Sequence, residues 1–266
     1  MSTRQVSFAL PRELDCHDPE RITRRARSGN ARRIPAVLFT PPLVRARFIR
    51  REKRFLIHAV LEDGAEVVAH TNNTGRMTGC LTPGGTIWLS PADNPRRKLA
   101  WTLELGESPG GVPAGVNTQR ANGLVAEGMR AGLFPNVSSD AAIRPEVPYP
   151  GGGSRVDFLV GGGIWVEVKN ATLVEEGHAR FPDAPTARGR KHLEDLAARV
   201  AAGDRALLVF CVQRADAATV GPADDIDPDY GRLLRKVAAQ GVEVAALRIA
   251  VTPEWLEPER LLPVIL

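Results

Sequence analysis

SRVDFLVGGGIWVEVKN, residues 154–170, places two strand-like runs on either side of Gly161-Gly162-Gly163. A three-residue loop pairs Val160 with Ile164; Asp157 then falls opposite Glu167, and Arg155 opposite Lys169. Side chains alternate between the two faces of a strand. One face therefore carries Arg155, Asp157, Trp165, Glu167 and Lys169. The other holds Val156, Phe158, Val160, Ile164, Val166 and Val168, and belongs in a core. Directly opposed residues have Cβ atoms about 4.5–5.5 Å apart, so two facing carboxylates repel. Mg²⁺ or Mn²⁺ would remove that cost, because hard cations take carboxylate oxygens and keep several waters. Lys169 would then orient or deprotonate an attacking water and stabilise charge on a phosphate oxygen. The competing reading is a solvated hairpin face on which Arg155 and Lys169 balance the acids. A loop of another length would also shift the register.

Working outward, Asn117-Thr118 caps a predicted helix running to about Ala131, with Ala121, Leu124, Val125, Gly128 and Met129 on its buried side. Glu127 on that helix is a candidate third metal ligand if the helix packs over the sheet; its bland fate is an exposed helix glutamate. Glu146, beside Pro145 on a strand near 143–148, is a weaker candidate of the same kind. Further elements are a helix at about 187–202, the apolar strand RALLVFCVQ, a helix capped by Asp227 and ended by Gly241, and the strand VEVAALRIA. This alternation predicts a mixed sheet flanked by helices, of the α+β or α/β class.

Toward the N-terminus the grammar differs. LVRARFIR, RFLIHAVLE and AEVVAHTN are short β-type runs, with Glu62-Asp63-Gly64 turning between the last two, and strands follow near 86–90 and 98–105. That spacing predicts a small β-barrel over 35–107. GESPGGVPAG (106–115) reads as a linker into a second domain over 108–266. Residues 1–34 lack hydrophobic periodicity, and we expect a disordered basic arm. Fourteen Lys/Arg stand against five Asp/Glu between Met1 and Arg54, a net +9 in a chain of net +4. A basic arm beside a slightly acidic body suggests a polyanionic partner, DNA or RNA, although a solvated tail has the same composition.

Exclusions sharpen this. Cys16, Cys80 and Cys211 are odd in number and far apart, so they outline neither a disulfide framework nor a zinc knuckle. The five histidines show no zinc-site spacing. No apolar run approaches the ~20 residues of a membrane helix, no secretory signal is evident, and the cytoplasm is the expected location. The glycine triplets at 151–153 and 161–163 lack the contexts of nucleotide loops and read as turns. Oligomeric state stays open, a homodimer included.

Three polar clusters are candidate DNA contacts. Asn72, Asn73 and Arg76 surround Gly75 at a strand end, though such a turn also bonds its own backbone. Arg96, Arg97 and Lys98 form a basic cluster. Arg188, Lys191 and His192 open a helix, whose N-terminus attracts phosphate, and Arg155 lies on the hairpin.

HTNNTGRM (70–77), NPRRK (94–98), SRVDF (154–158), VEVKNATL (166–173), FPDAPTARGRKHL (181–193) and IDPDY (226–230) resemble, in order, the sugar fermentation stimulation protein A family over about residues 38–250. The resemblance implies an OB-fold-like domain joined to a PD-(D/E)XK nuclease-like domain, with sequence-non-specific DNA binding. It equates Asp157 with the motif's aspartate and Glu167-x-Lys169 with its (D/E)-x-K, and Glu127 with a first-helix glutamate. Two functions follow as expectations: a DNA-binding protein with a Mg²⁺/Mn²⁺-dependent nuclease centre, or a non-catalytic DNA-binding regulator keeping the fold. A sugar sensor is suggested by the family's name alone. If the arm neutralises phosphates, deleting residues 1–34 will flatten the fall of DNA affinity with salt. An unchanged slope makes it a passive tail.

Overall fold

The computed structural model describes residues 37–92 and 96–266. The expected arm at 1–34 and the residues Asn94 and Pro95 lie outside them. The first layer is a barrel of five strands: β2 (Val44–Glu52), β3 (Leu56–Leu61), β4 (Glu66–His70), β5 (Thr86–Pro91) and β6 (Trp101–Glu107). The strand order β4-β3-β2-β5-β6 closes on itself through a parallel β4–β6 pairing. Alternate residues Ala46 and Phe48, Ile57 and Ala59, and Ile87 and Leu89 fill its interior, as period-2 strands require.

The expected linker is not one. Gly106 and Glu107 end β6, and β7 (Pro113–Gly115) folds back antiparallel onto it. Gly106 is required for packing rather than for a turn, because a Cβ there would lie 2.0 Å from the Cys80 carbonyl oxygen. The chain leaves the barrel at Val116-Asn117, whose N–H groups both bond the Glu104 carbonyl. At the other boundary, β1 (Val37–Leu38), assigned to the barrel by its position in sequence, pairs with β16 (Trp255–Leu261) of the second sheet.

That second sheet has seven strands in the order β1-β16-β15-β13-β10-β9-β8. The others are β8 (Ile143–Pro148), β9 (Arg155–Val160), β10 (Ile164–Ala171), β13 (Arg205–Val212) and β15 (Glu243–Val251). β10, β13 and β15 run parallel, and the flanking pairs are antiparallel. β13 is buried from Ala206 to Val212, as expected of a parallel strand covered on both faces. One face packs on helix α1 (Gln119–Arg130) through Phe158, Val166, Val209 and Leu247. The other packs on α2 (Ala187–Ala201) and α3 (Pro228–Ala239) through Trp165, Leu208 and Phe210. A small sheet of β11 (Leu173–Glu175), β12 (His178–Phe181) and β14 (Thr219–Pro222) was not foreseen, because such short strands carry no period. No described helix is long and apolar enough to cross a membrane.

The barrel meets the second sheet along a polar seam, and here Asn72 and Asn73 find their partners. Asn72 donates to Asn117 Oδ1 at 2.6 Å, and its own oxygen accepts from the Thr118 N–H and hydroxyl, both at 3.2 Å. Asn73, 7% exposed, donates to the Val116 carbonyl at 3.1 Å and accepts the Gly75 N–H at 2.9 Å. Both side chains, expected as DNA contacts, are thus hydrogen-bonded within the seam. Arg51 holds the same loop through the Asn73 and Gly75 carbonyls, each at 2.6 Å. Asp183 accepts the Met77 N–H at 2.9 Å from the opposite side. Removing one side of a buried hydrogen bond costs about 1–3 kcal/mol. Asn73→Ala is therefore expected to lower unfolding stability by about that amount, while Arg76→Ala at an exposed position changes it by less than ~0.5 kcal/mol. Denaturant melts check this; an Asn73→Ala protein as stable as wild type contradicts the seam.

Candidate functional site

The hairpin register is the expected one at its turn: Val160 pairs with Ile164, Leu159 with Trp165 and Phe158 with Val166. Gly161 and Gly162 make the turn with φ of 59° and 76°. Past Phe158 the ladder stops. The Asp157 carboxylate enters it, Oδ2 accepting the Val168 N–H at 2.7 Å, while Oδ1 accepts from Asn122 Nδ2 on α1 at 2.9 Å. The expected Arg155–Lys169 pair does not form; Arg155 pairs with Pro148 and Lys169 with Phe210. Strict alternation also fails here, since Val156 joins the core under α2 while Phe158 joins the core under α1.

The face expected to be open is covered by α2. Trp165 is 7% exposed, stacks on Tyr149 at 5.2 Å, and lies under the Arg199 guanidinium at 4.8 Å. Its indole N–H donates to Asp204 at 3.0 Å. Two residues along, Glu167 is 2% exposed. Its Oε1 accepts from Lys169 Nζ at 2.5 Å and contacts His192 Nδ1, while Oε2 is buried without a hydrogen-bond partner. The hydroxyls of Tyr149 and Tyr230 are also buried and unpartnered. Burial raises both phenols, and the Glu167 charge raises them further.

The two carboxylates titrate apart. Burial and the neighbouring Glu167 charge raise Asp157, against the Val168 N–H and Asn122. Burial would raise Glu167 too, but the His192 hydrogen bond and the Lys169 charge outweigh it and hold the group below the usual carboxylate range. A buried carboxylate oxygen with no donor normally marks a missing water or ion. An oxygen-only pair with one such orphan suits a hard divalent cation, so these residues fit Mg²⁺ or Mn²⁺.

The other expected residues are dispersed. Glu127 pairs with Arg130 at 2.6 Å on α1 and is not gathered with Asp157 and Glu167; the α1 residue that reaches Asp157 is Asn122, five positions earlier. Glu146 is exposed. Among the described residues no group of three or more His, Cys, Asp or Glu is placed to hold a metal. Arg76, Arg96, Arg97, Lys98, Arg155 and Arg188 are exposed, and Arg97 donates to Thr102 at 3.1 Å. Lys191 is tied to Asp195 at 2.8 Å and Ser154 at 3.1 Å. His192, read as a backbone contact, is 6% exposed and belongs to the site itself. The signal was present: Gly189, His192, Leu193 and Leu196 form one buried helical stripe. Nothing in sequence spacing marked Asn122, Tyr149 or Tyr230.

Comparison with known proteins gives two matching family models, the SfsA N-terminal OB domain over residues 49–116 and the sugar fermentation stimulation protein RE domain over 119–255. The chain belongs to the sugar fermentation stimulation protein family. Their junction falls at the seam described above. A sugar fermentation stimulation protein homolog of Geobacter sulfurreducens is 50% identical over 226 residues, covering 84% of this chain and 97% of the relative. One of Teredinibacter turnerae is 47% identical over 234 residues, covering 86% of this chain and 100% of the relative. The solved structure of Pyrococcus furiosus SfsA in complex with Ca²⁺ superposes with a TM-score of 0.78 at 27% identity, covering 86% of this chain and 98% of that one.

In this family member, a raised carboxyl pKa has a definite sign. Asp157 stabilises the metal-free fold fully below the ordinary carboxylate range, and that contribution is lost as pH rises through its elevated folded value. Asp157→Asn removes the charge, and a flip of Asn122 keeps the hydrogen bonds. The metal-free variant is expected to melt about 1–3 °C above wild type at neutral pH, from roughly 0.2–1 kcal/mol of relieved repulsion. The advantage should disappear near pH 3. Melting curves in chelator across pH test this, and an Asp157→Asn protein less stable than wild type at pH 7 refutes it.

Proposed function

We propose that this chain is a cytoplasmic DNA-binding protein, largely indifferent to sequence, whose second domain holds a Mg²⁺- or Mn²⁺-dependent phosphodiesterase centre. The observation that carries the reading is the unpartnered, buried Glu167 Oε2 in a site shared with Asp157 and Lys169. A bound divalent ion would supply charge neutralisation at a phosphate oxygen and a more acidic water. Asp157 and Glu167 are the residues that would hold it. Asp157 is fixed for this by Asn122 and by the Val168 N–H. Lys169, 13% exposed along its side chain, reaches the site from the strand that supplies Glu167. Its ammonium bonds Glu167 Oε1 at rest, and from there it can turn to a water or to a phosphate oxygen as negative charge develops. Exposed Arg76, Arg96, Arg97, Lys98, Arg155 and Arg188 would hold the phosphate backbone. The Ca²⁺ complex of the Pyrococcus furiosus relative supports a cation-binding role for this fold.

One observation favours the alternative, a DNA-binding regulator that does not cleave. Glu127 stays with Arg130, so the candidate ligands are two carboxylates without a third. Incubating plasmid and labelled oligonucleotides with the protein in Mg²⁺ or Mn²⁺ separates the two. Wild type is expected to cleave, with Asp157→Ala and Lys169→Ala each slower by at least about 100-fold, in line with the loss of one charge-stabilising group. Binding that weakens with salt but never leads to cleavage under either metal would leave only the regulator.

A further inference from the structure

His192 is a polar side chain on the buried stripe of α2. A buried imidazole needs a partner at each ring nitrogen, and those partners decide which nitrogen carries the proton. Nε2 lies 3.3 Å from Arg188 Nε. A guanidinium only donates, so Nε2 accepts and the proton belongs on Nδ1. Nδ1 faces Glu167 Oε1 and stands 3.0 Å from Lys169 Nζ. Nδ1–H and the ammonium are then two donors converging on one carboxylate oxygen. With Oε1 held this way, the carboxylate plane is set, and Oε2 is the oxygen left for a cation.

The frame around His192 is held from several sides. The Thr186 hydroxyl caps α2 by accepting the Gly189 N–H at 2.9 Å. Asp227 accepts the Thr186 N–H at 2.8 Å and both contacts of Arg190 Nη1, at 2.9 and 2.8 Å. A Cβ on Gly189 would come within 2.6 Å of Thr186 Cγ2 and 3.3 Å of Tyr230 Cε2, so a larger residue there would crowd the first turn. Losing a partner that orients a ligating carboxylate typically costs about 10–100-fold in metal affinity.

We propose that His192, in the tautomer imposed by Arg188, is a positioning residue that presents Glu167 Oε2 to the divalent cation. This rests on the metal reading above. Calorimetric titration with Mn²⁺ alone, without nucleic acid, tests it on the full chain. His192→Ala is expected to weaken Mn²⁺ binding about 10–100-fold. His192→Asn, whose Nδ2 can replace the Nδ1–H donor, should stay within a few-fold of wild type. Arg188→Ala, at an exposed position that does not threaten folding, should lose affinity by a smaller factor. Unchanged affinity in His192→Ala, or equal losses in His192→Ala and His192→Asn, overturns the positioning role while wild-type binding keeps the metal site. If His192→Ala does not fold, an Arg188→Ala protein with wild-type affinity overturns it instead. No Mn²⁺ uptake by wild type overturns the metal site itself, and this role with it.

Discussion

One hydrogen bond organises the site: the Asp157 carboxylate takes the Val168 N–H, which a continued β9–β10 ladder would have used. By replacing a ladder bond with a side chain, the fold parts two strands where it needs two carboxylates close together. The parted ends let α1 reach Asp157 through Asn122, while α2 reaches Glu167 through His192. The helical layers on the two faces of the sheet thus meet at one pair of acids. An intact ladder would have left both acids facing a single layer.

The electrostatics follow from that geometry. Two carboxylates drawn out of water in one site cannot both be comfortable, and the structure divides them: Glu167 is satisfied on one oxygen by Lys169 and His192, and Asp157 carries the penalty. Such a division is typical of functional sites, where stability is given up locally for charge placed to meet a ligand. The surrounding frame offsets that loss. The seam through Asn72, Asn73, Arg51 and Asp183 locks the barrel loop to the connector that opens α1, and Asp227 locks the opening of α2. Motifs that stand far apart in the sequence, HTNNTGRM, FPDAPTARGRKHL and IDPDY, supply much of this frame.

Period and turn chemistry made much of the architecture legible. The Gly161-Gly162-Gly163 turn fixed the hairpin register near Val160 and Ile164, and the three described helices lie where an apolar stripe after Asn117-Thr118, the run at 187–202 and the Asp227 cap with its Gly241 stop place them. Glu167 and Lys169 were readable together because alternation along β10 puts them on one side of that strand, and Asp157 because the tight turn brings β9 back beside it. What failed did so for physical reasons. Alternation assumes an unbroken ladder, so it misplaced Val156 and predicted an Arg155–Lys169 pair. Glycine and proline at 106–115 read as a linker because close packing against Cys80 and an edge strand demand the same residues as a flexible joint. Asn72 and Asn73 looked like surface donors because their partners, Val116 to Thr118, lie more than forty positions away. Glu127 is a candidate ligand in sequence only on the condition that its helix faces the acids, and helix phase relative to a distant strand is not encoded locally; that phase brings Asn122 to Asp157 instead.

The central claim is that Asp157 and Glu167 share a divalent cation, and anomalous diffraction from crystals grown in Mn²⁺ tests it most directly. The account predicts one manganese peak within coordinating distance of Glu167 Oε2 and an Asp157 carboxylate oxygen, with Lys169 and His192 still on Glu167 Oε1. A peak elsewhere, or none at millimolar Mn²⁺ with Glu167 Oε2 hydrogen-bonded to a water or to a tyrosine hydroxyl, would contradict it.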